Sequence, residues 1–95
     1  MATIERSIGL RCTKGTSDKV YYMQLVSMGE RKFSVVAQYG KFGAVLRHSF
    51  RIEDATYWKA NREFENQLDK ELKKGYKMIE TPQEILMMVL FNFAS

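Results

Sequence analysis

The sequence predicts an α+β fold: an antiparallel sheet of four to five strands packed against one long helix, with an apolar C-terminal element. In the first half of the chain, apolar and polar residues alternate with the period of a strand. From residue 53 the apolar residues recur at steps of three and four, the period of a helix. The length of 95 residues fits a single domain, residues 1–95.

Four segments of the first half are interpreted as strands joined by short turns. They run from Ile4 to Cys12, from Val20 to Ser27, from Phe33 to Tyr39 and from Ala44 to Phe50. Strict alternation places Ile4 on the same face as Ile8 and Leu10. No link between these segments is long enough for a crossover, so antiparallel hairpins are expected.

The helical period predicts one long helix after the strands. Its apolar stripe consists of Tyr57, Ala60, Phe64, Leu68 and Leu72. Asp54 is the expected N-terminal cap, and Gly75 marks the end of the helix. Trp58 lies beside the stripe and is interpreted as a flank of the contact between helix and sheet.

The C-terminal element, residues 81–95, begins with a capping box at Thr81-Pro82-Gln83-Glu84. Proline suits the first position of a helix, so a short helix from Pro82 towards Asn92 is predicted. The run from Ile85 to Phe91 is apolar without interruption. A strand buried on both faces has the same pattern, and this alternative stays open.

The tail offers more apolar surface than a sheet already covered by one helix needs. Its apolar residues are Ile85, Leu86, Met87, Met88, Val89, Leu90, Phe91 and Phe93. One interpretation is that they complete the opposite face of the sheet within the same chain. The alternative is a homodimer through residues 85–93, which buries a patch of this kind between two copies.

Charge is distributed unevenly along the chain. Residues 1–51 carry nine basic and three acidic residues, a balance of +6, whereas residues 52–95 have a balance of −2. We therefore expect an anionic partner to bind the N-terminal half. The alternative is that these charges only keep a half-exposed sheet in solution and protect its edges.

Several functional classes are excluded by composition. The single cysteine, Cys12, rules out an intramolecular disulfide and disfavours a cysteine-based metal site, so neither metal nor cofactor is expected. No run of 18 or more apolar residues occurs, and charged residues follow the start of the chain closely, so we expect a cytoplasmic protein with no membrane partner. His48 is the only histidine and has no nucleophile in a recognisable context. We expect a binding protein and not an enzyme.

Three blocks of sequence occur in an informative order. Asp18–Leu25 is followed by Phe33–Ala44, which contains Tyr39-Gly40-Lys41-Phe42-Gly43, and the helix ends on Lys73-Lys74-Gly75-Tyr76. Over residues 10–76 this arrangement resembles the WGR domain found in poly(ADP-ribose) polymerases. In that family a strand ending in Trp-Gly-Arg is followed by a hydrophobic residue and glycine. The chain departs from the pattern at two positions, with Tyr39 for tryptophan and Lys41 for arginine.

The resemblance implies a module that contacts DNA near a break. Independently, an aromatic residue beside lysines and arginines suits base stacking together with phosphate neutralisation. We therefore predict a non-catalytic accessory module that binds DNA ends or single strands without reading base sequence. The expected binding residues are Tyr39, Gly40, Lys41, Phe42, Arg47, Lys19 and Lys32. A protein–protein interaction module using the same loop and basic sheet surface is the alternative.

Overall fold

The computed structural model describes residues 2–93, which form one five-stranded antiparallel sheet and two helices. In chain order the elements are β1 (Thr3–Cys12), β2 (Lys19–Ser27), β3 (Phe33–Lys41), β4 (Arg47–Ala55), α1 (Tyr57–Lys73), β5 (Lys77–Ile79) and α2 (Gln83–Phe93). The strand order is β4-β3-β2-β1-β5, so β1 to β4 form consecutive hairpins and β5 returns beside β1. The antiparallel α+β architecture predicted from the sequence is confirmed, with a second helix in addition to the long one.

The larger core lies between the sheet and α1, on what we call the α1 face. Its buried members are Ile8, Leu10, Tyr21, Met23, Leu25, Val35, Ala37, Ala60 and Phe64. Alternation along β2 sends Tyr21, Met23 and Leu25 to this face. Phe64 of α1 is fully buried, and the Arg6 guanidinium lies 4.4 Å from its ring centroid. This contact closes one edge of the core.

The opposite side, the α2 face, has a smaller and more polar interior. Val26, Val36 and Val89 form its buried apolar cluster. Two glutamine side chains, Gln24 and Gln38, are also fully or almost fully buried. Within residues 2–93, both polar atoms of the Gln24 amide and the Oε1 atom of Gln38 have no hydrogen-bond partner. Such groups lose hydration without compensation, so this face contributes less to stability for its area.

Because of a bulge in β1, Ile4 lies on a different face of the sheet from the one predicted. The register of β1 against β2 shifts between Ile4 and Arg6, which leaves Glu5 without a partner in the ladder. Ile4 therefore packs with the α2-face cluster, whereas Ile8 belongs to the α1-face core. The prediction that Ile4 and Ile8 share a face was wrong, because an extra residue reverses the alternation.

The fourth strand also differs from the predicted segment, Ala44 to Phe50, because β4 begins at Arg47 and ends at Ala55. Residues 42–46 instead form a connection that includes a hydrogen bond from Ala44 N–H to the carbonyl of Lys41, at 3.1 Å. Register shifts accompany the longer strand, and one of them makes Arg51 an extra residue between Phe50 and Ile52. Such a bulge lets two consecutive side chains lie on the same face.

Thr56, not Asp54, caps α1. The Thr56 hydroxyl accepts a hydrogen bond from Lys59 N–H at 3.3 Å. Asp54 is still part of β4, where its φ of 49° is left-handed and its N–H donates to the Ser34 hydroxyl at 3.1 Å. Trp58 is 69% exposed and stacks with Arg62, so its predicted role at the helix–sheet contact was wrong. The cap is Thr56 and not the predicted Asp54, because β4 continues through Asp54 to Ala55.

The short strand β5 depends on a glycine in β1. Gly9 pairs with Ile79 across the antiparallel ladder. A Cβ atom at Gly9 would lie 3.0 Å from the Ile79 carbonyl oxygen and 3.2 Å from the Glu80 carbonyl. The absence of a side chain therefore permits the chain after α1 to return along this edge.

The tail is helical, and α2 begins at Gln83, one residue after the predicted start. Val89 is buried against the sheet, whereas Met87, Leu90 and Phe91 are exposed. The side chain of Phe93, also expected to contribute apolar surface, lies outside the described residues. Among residues 2–93, neither helix has the length and apolar character needed to cross a membrane.

Candidate anion-binding cleft

A cleft of about 580 Å³ lies where the start of β2, the end of β3 and the start of β4 approach the last turns of α1. It is lined by Lys19, Tyr21, Tyr39, Gly40, Lys41, Arg47, Arg51, Gln67, Lys70, Glu71, Lys74 and Tyr76. We call it the basic cleft, because six of these residues are basic and one is acidic. Cations at this density attract an anionic ligand.

Strand register brings the first group of cleft residues together. Lys19 pairs with Lys41, Tyr21 pairs with Tyr39, and Tyr39 pairs with Arg47 on its other side. The cross-strand lysine pair is unfavourable for the isolated sheet, because like charges directly opposite each other repel. A bound anion would relieve that repulsion.

Three tyrosine rings form the wall of the cleft nearest the core. The rings of Tyr21 and Tyr39 are stacked with centroids 5.9 Å apart, and Tyr76 meets Tyr21 edge-on at 6.4 Å. Burial raises the pKa of Tyr21 and of Tyr76, and the nearby charge of Glu71 raises both further, although Arg51 opposes the rise at Tyr21. Both phenols therefore stay protonated at neutral pH and can donate hydrogen bonds.

Arg51 is held in place by this aromatic wall. Its Nε donates to the Tyr21 hydroxyl at 3.1 Å, and its guanidinium carbon lies 5.9 and 5.8 Å from the ring centroids of Tyr21 and Tyr39. The bulge in β4 places Arg51 on the α1 face beside these rings. Among residues 2–93, no acceptor other than Tyr21 bonds to the guanidinium. Its terminal N–H groups are thus available to a ligand.

The end of α1 supplies the remaining cations and the single carboxylate. Glu71 is buried, and its Oε2 accepts hydrogen bonds from Lys74 Nζ at 3.0 Å and from Gln67 Nε2 at 3.1 Å. Lys70 lies in the last turn of α1 and Lys74 is its C-cap residue, and the helix dipole favours positive charge at this end. The helix end therefore tolerates a cluster of cations that also faces the cleft.

Five of the seven predicted binding residues line the basic cleft: Lys19, Tyr39, Gly40, Lys41 and Arg47. The other two do not. Phe42 turns to the α2 side, where the Arg11 guanidinium lies 3.8 Å from its ring centroid and Arg11 in turn binds Asp18. Lys32 precedes β3, in the turn at the opposite end of the same strands.

Sequence reasoning missed the cleft residues that come from other elements. Arg51 was not identified because a bulge, which alternation does not reveal, directs it to this face. Lys70 was interpreted as part of the polar helix surface and Lys74 only as part of the helix end, although two like charges four residues apart on a helix are mildly unfavourable. Two lysines four residues apart, just before Gly75-Tyr76, were the signal in the sequence that could have identified this part of the cleft.

The side chains that line the basic cleft are groups suited to binding a ligand. His48 is exposed and is not among the residues that line the basic cleft. In the described part of the chain, no three histidine, cysteine or acidic side chains are grouped so that they could hold a metal ion. What the cleft offers is positive charge, phenol donors and aromatic surface.

Comparison of the chain with protein-family models, with curated proteins and with solved structures gives no match. The resemblance to WGR domains therefore stays a prediction from the sequence. Function has to be inferred from the geometry of the basic cleft.

Proposed function

We propose that the protein is a small non-catalytic module that binds DNA ends or single strands by holding phosphates in the basic cleft. The observation that carries this proposal is the convergence of six cations, from three strands and the C-terminal end of α1, around a single carboxylate. A phosphodiester backbone is the biological polyanion whose repeated charge suits such a cluster, and release of its counterions drives binding.

Arg47 and Arg51 supply the guanidinium groups that are missing because position 41 is a lysine. In the family that the sequence resembles, arginine stands at the position of Lys41, and its planar fork can bind phosphate with two parallel hydrogen bonds. Here Lys41 supplies a point charge, while Arg47 and Arg51 line the same cleft with guanidinium groups. Arg51 is already oriented by Tyr21, so less side-chain freedom is lost on binding.

The aromatic wall supports a preference for exposed nucleotides. Tyr39 and Tyr76 are partly exposed and line the cleft. Stacking on such rings requires a base that is accessible, as in a single strand or at an end, and it is tolerant of base identity. The lining is made of lysines, arginines and tyrosines, together with one glutamine, one glutamate and one glycine, so contacts to phosphate dominate over contacts to base edges.

Fluorescence anisotropy with single-stranded, blunt-ended and nicked DNA, each at two salt concentrations, tests the proposal. The double variant Lys41→Ala, Arg47→Ala should weaken binding roughly tenfold or more, and each lost phosphate contact should reduce the salt slope by about 0.7 on single strands. The matched control is Arg31→Ala, Lys32→Ala, which removes the same charge from the turn at the far end of β3. Absence of binding, or equal losses in the two double variants, would contradict the proposal.

The alternative function is a protein-interaction module using the same loop and the basic sheet surface. The connection between β3 and β4 favours it, because Val45 is 97% exposed and Phe42 is also exposed. A pull-down after nuclease treatment separates the two functions. Capture that survives nuclease and is lost in Val45→Asp, but not in Lys41→Ala, Arg47→Ala, would support this alternative over DNA binding.

Self-association and location are further parts of the proposal. Burial of Val89 supports the interpretation that the tail completes the α2 face, whereas exposure of Met87 and Phe91 supports a homodimer through residues 85–93. Light scattering on the intact protein and on Phe91→Asp distinguishes them, because only a dimer would lose half its mass in the variant. A cytoplasmic location is proposed from the sequence alone.

A further inference from the structure

Glu71 is the only acidic residue among those that line the basic cleft, and only 4% of its surface is exposed. Its charge repels any phosphate that enters, so it works against the binding that the six surrounding cations provide. Burial also removes part of the hydration of the carboxylate. A carboxylate in this position therefore suits a ligand group other than phosphate.

The two oxygens of Glu71 have different surroundings. Oε2 accepts from Lys74 Nζ and Gln67 Nε2, whereas Oε1 accepts no hydrogen bond from residues 2–93. Within residues 2–93, the side-chain polar atoms that are both shielded from solvent and without a hydrogen-bond partner belong to Gln24 and Gln38. Oε1 of Glu71 is not one of them, so it contacts solvent. A carboxylate oxygen can only accept, so Oε1 offers a place for a hydroxyl or an amino group of a ligand.

This acceptor is held in a defined position. The carbonyl of Glu71 accepts from Lys74 N–H at 3.1 Å and from Tyr76 N–H at 3.3 Å, which fixes the backbone at the end of α1. The bonds from Gln67 and Lys74 fix the carboxylate itself. An acceptor that is oriented in advance, and partly shielded from water, binds a donor more strongly than a mobile surface carboxylate.

We propose that Glu71 accepts a hydrogen bond from a free terminal sugar hydroxyl, while the cations of the cleft hold the neighbouring phosphodiester. The inference rests on the proposed function of the basic cleft. Within a continuous DNA strand every sugar oxygen at the 3′ and 5′ positions is esterified and carries no proton to donate. A hydroxyl-terminated end supplies the donor, whereas a phosphorylated end brings a negative charge against Glu71. The substrate class is thus a strand end with a free hydroxyl, at either the 5′ or the 3′ side.

The test uses one internally labelled DNA oligonucleotide in four forms, with hydroxyl or phosphate at each end. Wild-type protein should bind the hydroxyl form of one end about tenfold more tightly than its phosphorylated form, the scale of a hydrogen bond to a charged group. The form that loses affinity identifies the 5′ or 3′ hydroxyl as the donor. An end capped as the O-methyl ether, which keeps the oxygen but lacks the proton, should lose the same preference.

Two charge-matched variants assign the preference to Glu71. Glu71→Gln should bind phosphorylated ends more tightly than wild type does. The ratio of its affinity for the hydroxyl form to its affinity for the phosphorylated form of the same end should fall towards one. Asp69→Asn is the control, because Asp69 also lies on α1, is exposed, pairs with Lys73 and does not line the cleft. Its ratio should equal that of wild type. Circular dichroism confirms that each variant is folded.

The outcomes separate this inference from the proposed function. Binding of all four forms with equal affinity would overturn the role of Glu71 and leave DNA binding in place. Binding of none of them would overturn both. A ratio that survives Glu71→Gln would assign the hydroxyl to another residue and also overturn the inference. If Glu71→Gln does not fold, the wild-type chain still tests the donor, because an O-methyl end that binds as tightly as the hydroxyl end would overturn the inference.

Discussion

The two faces of the sheet are built from the same strands but bury different kinds of side chain. On the α1 face, β2 presents Tyr21, Met23 and Leu25 to one continuous apolar core. On the α2 face the same strand buries Gln24, whose amide has no partner within residues 2–93. Stability is therefore concentrated on the α1 face, and the basic cleft lies at one end of that better-packed layer. A rigid scaffold of this kind holds binding groups in fixed positions.

The strongest test of this difference shortens one aromatic side chain on each face of the sheet. Phe64→Ala removes the fully buried ring of the α1-face core and should lower the free energy of unfolding by roughly 3–5 kcal/mol. Phe91→Ala removes a ring of α2 that is 83% exposed and should change it by less than about 0.5 kcal/mol. Urea denaturation measures both values. Similar losses in the two variants would mean that Phe91 is buried in solution, as it would be in a homodimer through residues 85–93.

A second test turns the polar interior of the α2 face into an apolar one. Gln24→Met keeps the length of the side chain but removes two unpartnered polar atoms, so it should raise the free energy of unfolding by about 1–3 kcal/mol. The control is Gln67→Met, whose amide donates to Glu71 at 3.1 Å and whose loss should be destabilising. Thermal denaturation gives the sign of each change. A destabilised Gln24→Met would show that this amide has a partner in solution.

The start of α1 allows a smaller test of how the better-packed layer is held. Thr56→Ala removes the N-terminal cap and should cost about 1 kcal/mol of stability. Asp54→Gly should be neutral or stabilising, because glycine adopts the left-handed φ of 49° without strain. Denaturation midpoints of the two variants decide which residue caps the helix. A larger loss of stability in Asp54→Gly than in Thr56→Ala would instead support Asp54 as the cap, as expected from the sequence.

The smallest expected effect is a pH dependence beside the α2 face. Arg11 binds Asp18 at 2.7 Å and thereby lowers the pKa of that carboxyl below its ordinary value of 3.8. A depressed pKa means that the pair contributes stability above about pH 4 and loses it as the pH falls through the lowered value. Both side chains are partly exposed, so solvent screening keeps this contribution small.

Asp18→Asn tests the pair directly. The variant should be slightly less stable than wild type at pH 7, and the difference should narrow at low pH as the pH falls through the lowered pKa of Asp18. Denaturation curves at the two pH values measure the difference. A gap between the proteins that does not narrow at low pH would contradict the assigned role of Arg11.

The parts of the fold that follow from repeating patterns were predictable from the sequence. Alternation located β1, β2 and β3 closely, and the apolar stripe located α1. The irregular positions were not predictable, because a bulge such as that at Glu5 adds one residue without a distinctive composition. The short strand β5 was also missed, since three exposed residues carry no period of their own.

The candidate site was predictable only where its residues are close in sequence. Tyr39, Gly40 and Lys41 lie together at the end of β3, and their composition identified them. Lys70 and Lys74 reach the cleft because α1 packs across the sheet, which is a tertiary event that local spacing does not encode. The one carboxylate of the cleft, Glu71, could not be distinguished in sequence from its solvated neighbours on the helix.

The bulge in β1 also determines where the chain can change length. Ile4 pairs with Val26 and Arg6 pairs with Leu25, so deletion of Glu5 leaves each of these partnerships in place. The shortened strand would alternate regularly, with Ile4 still beside α2 and Ile8 still beside α1. Deletion of one residue from the middle of β2 would instead move every following side chain to the opposite layer. Single-residue deletion should therefore be tolerated better at Glu5 than in the middle of β2, since Glu5 adds length without adding a pairing.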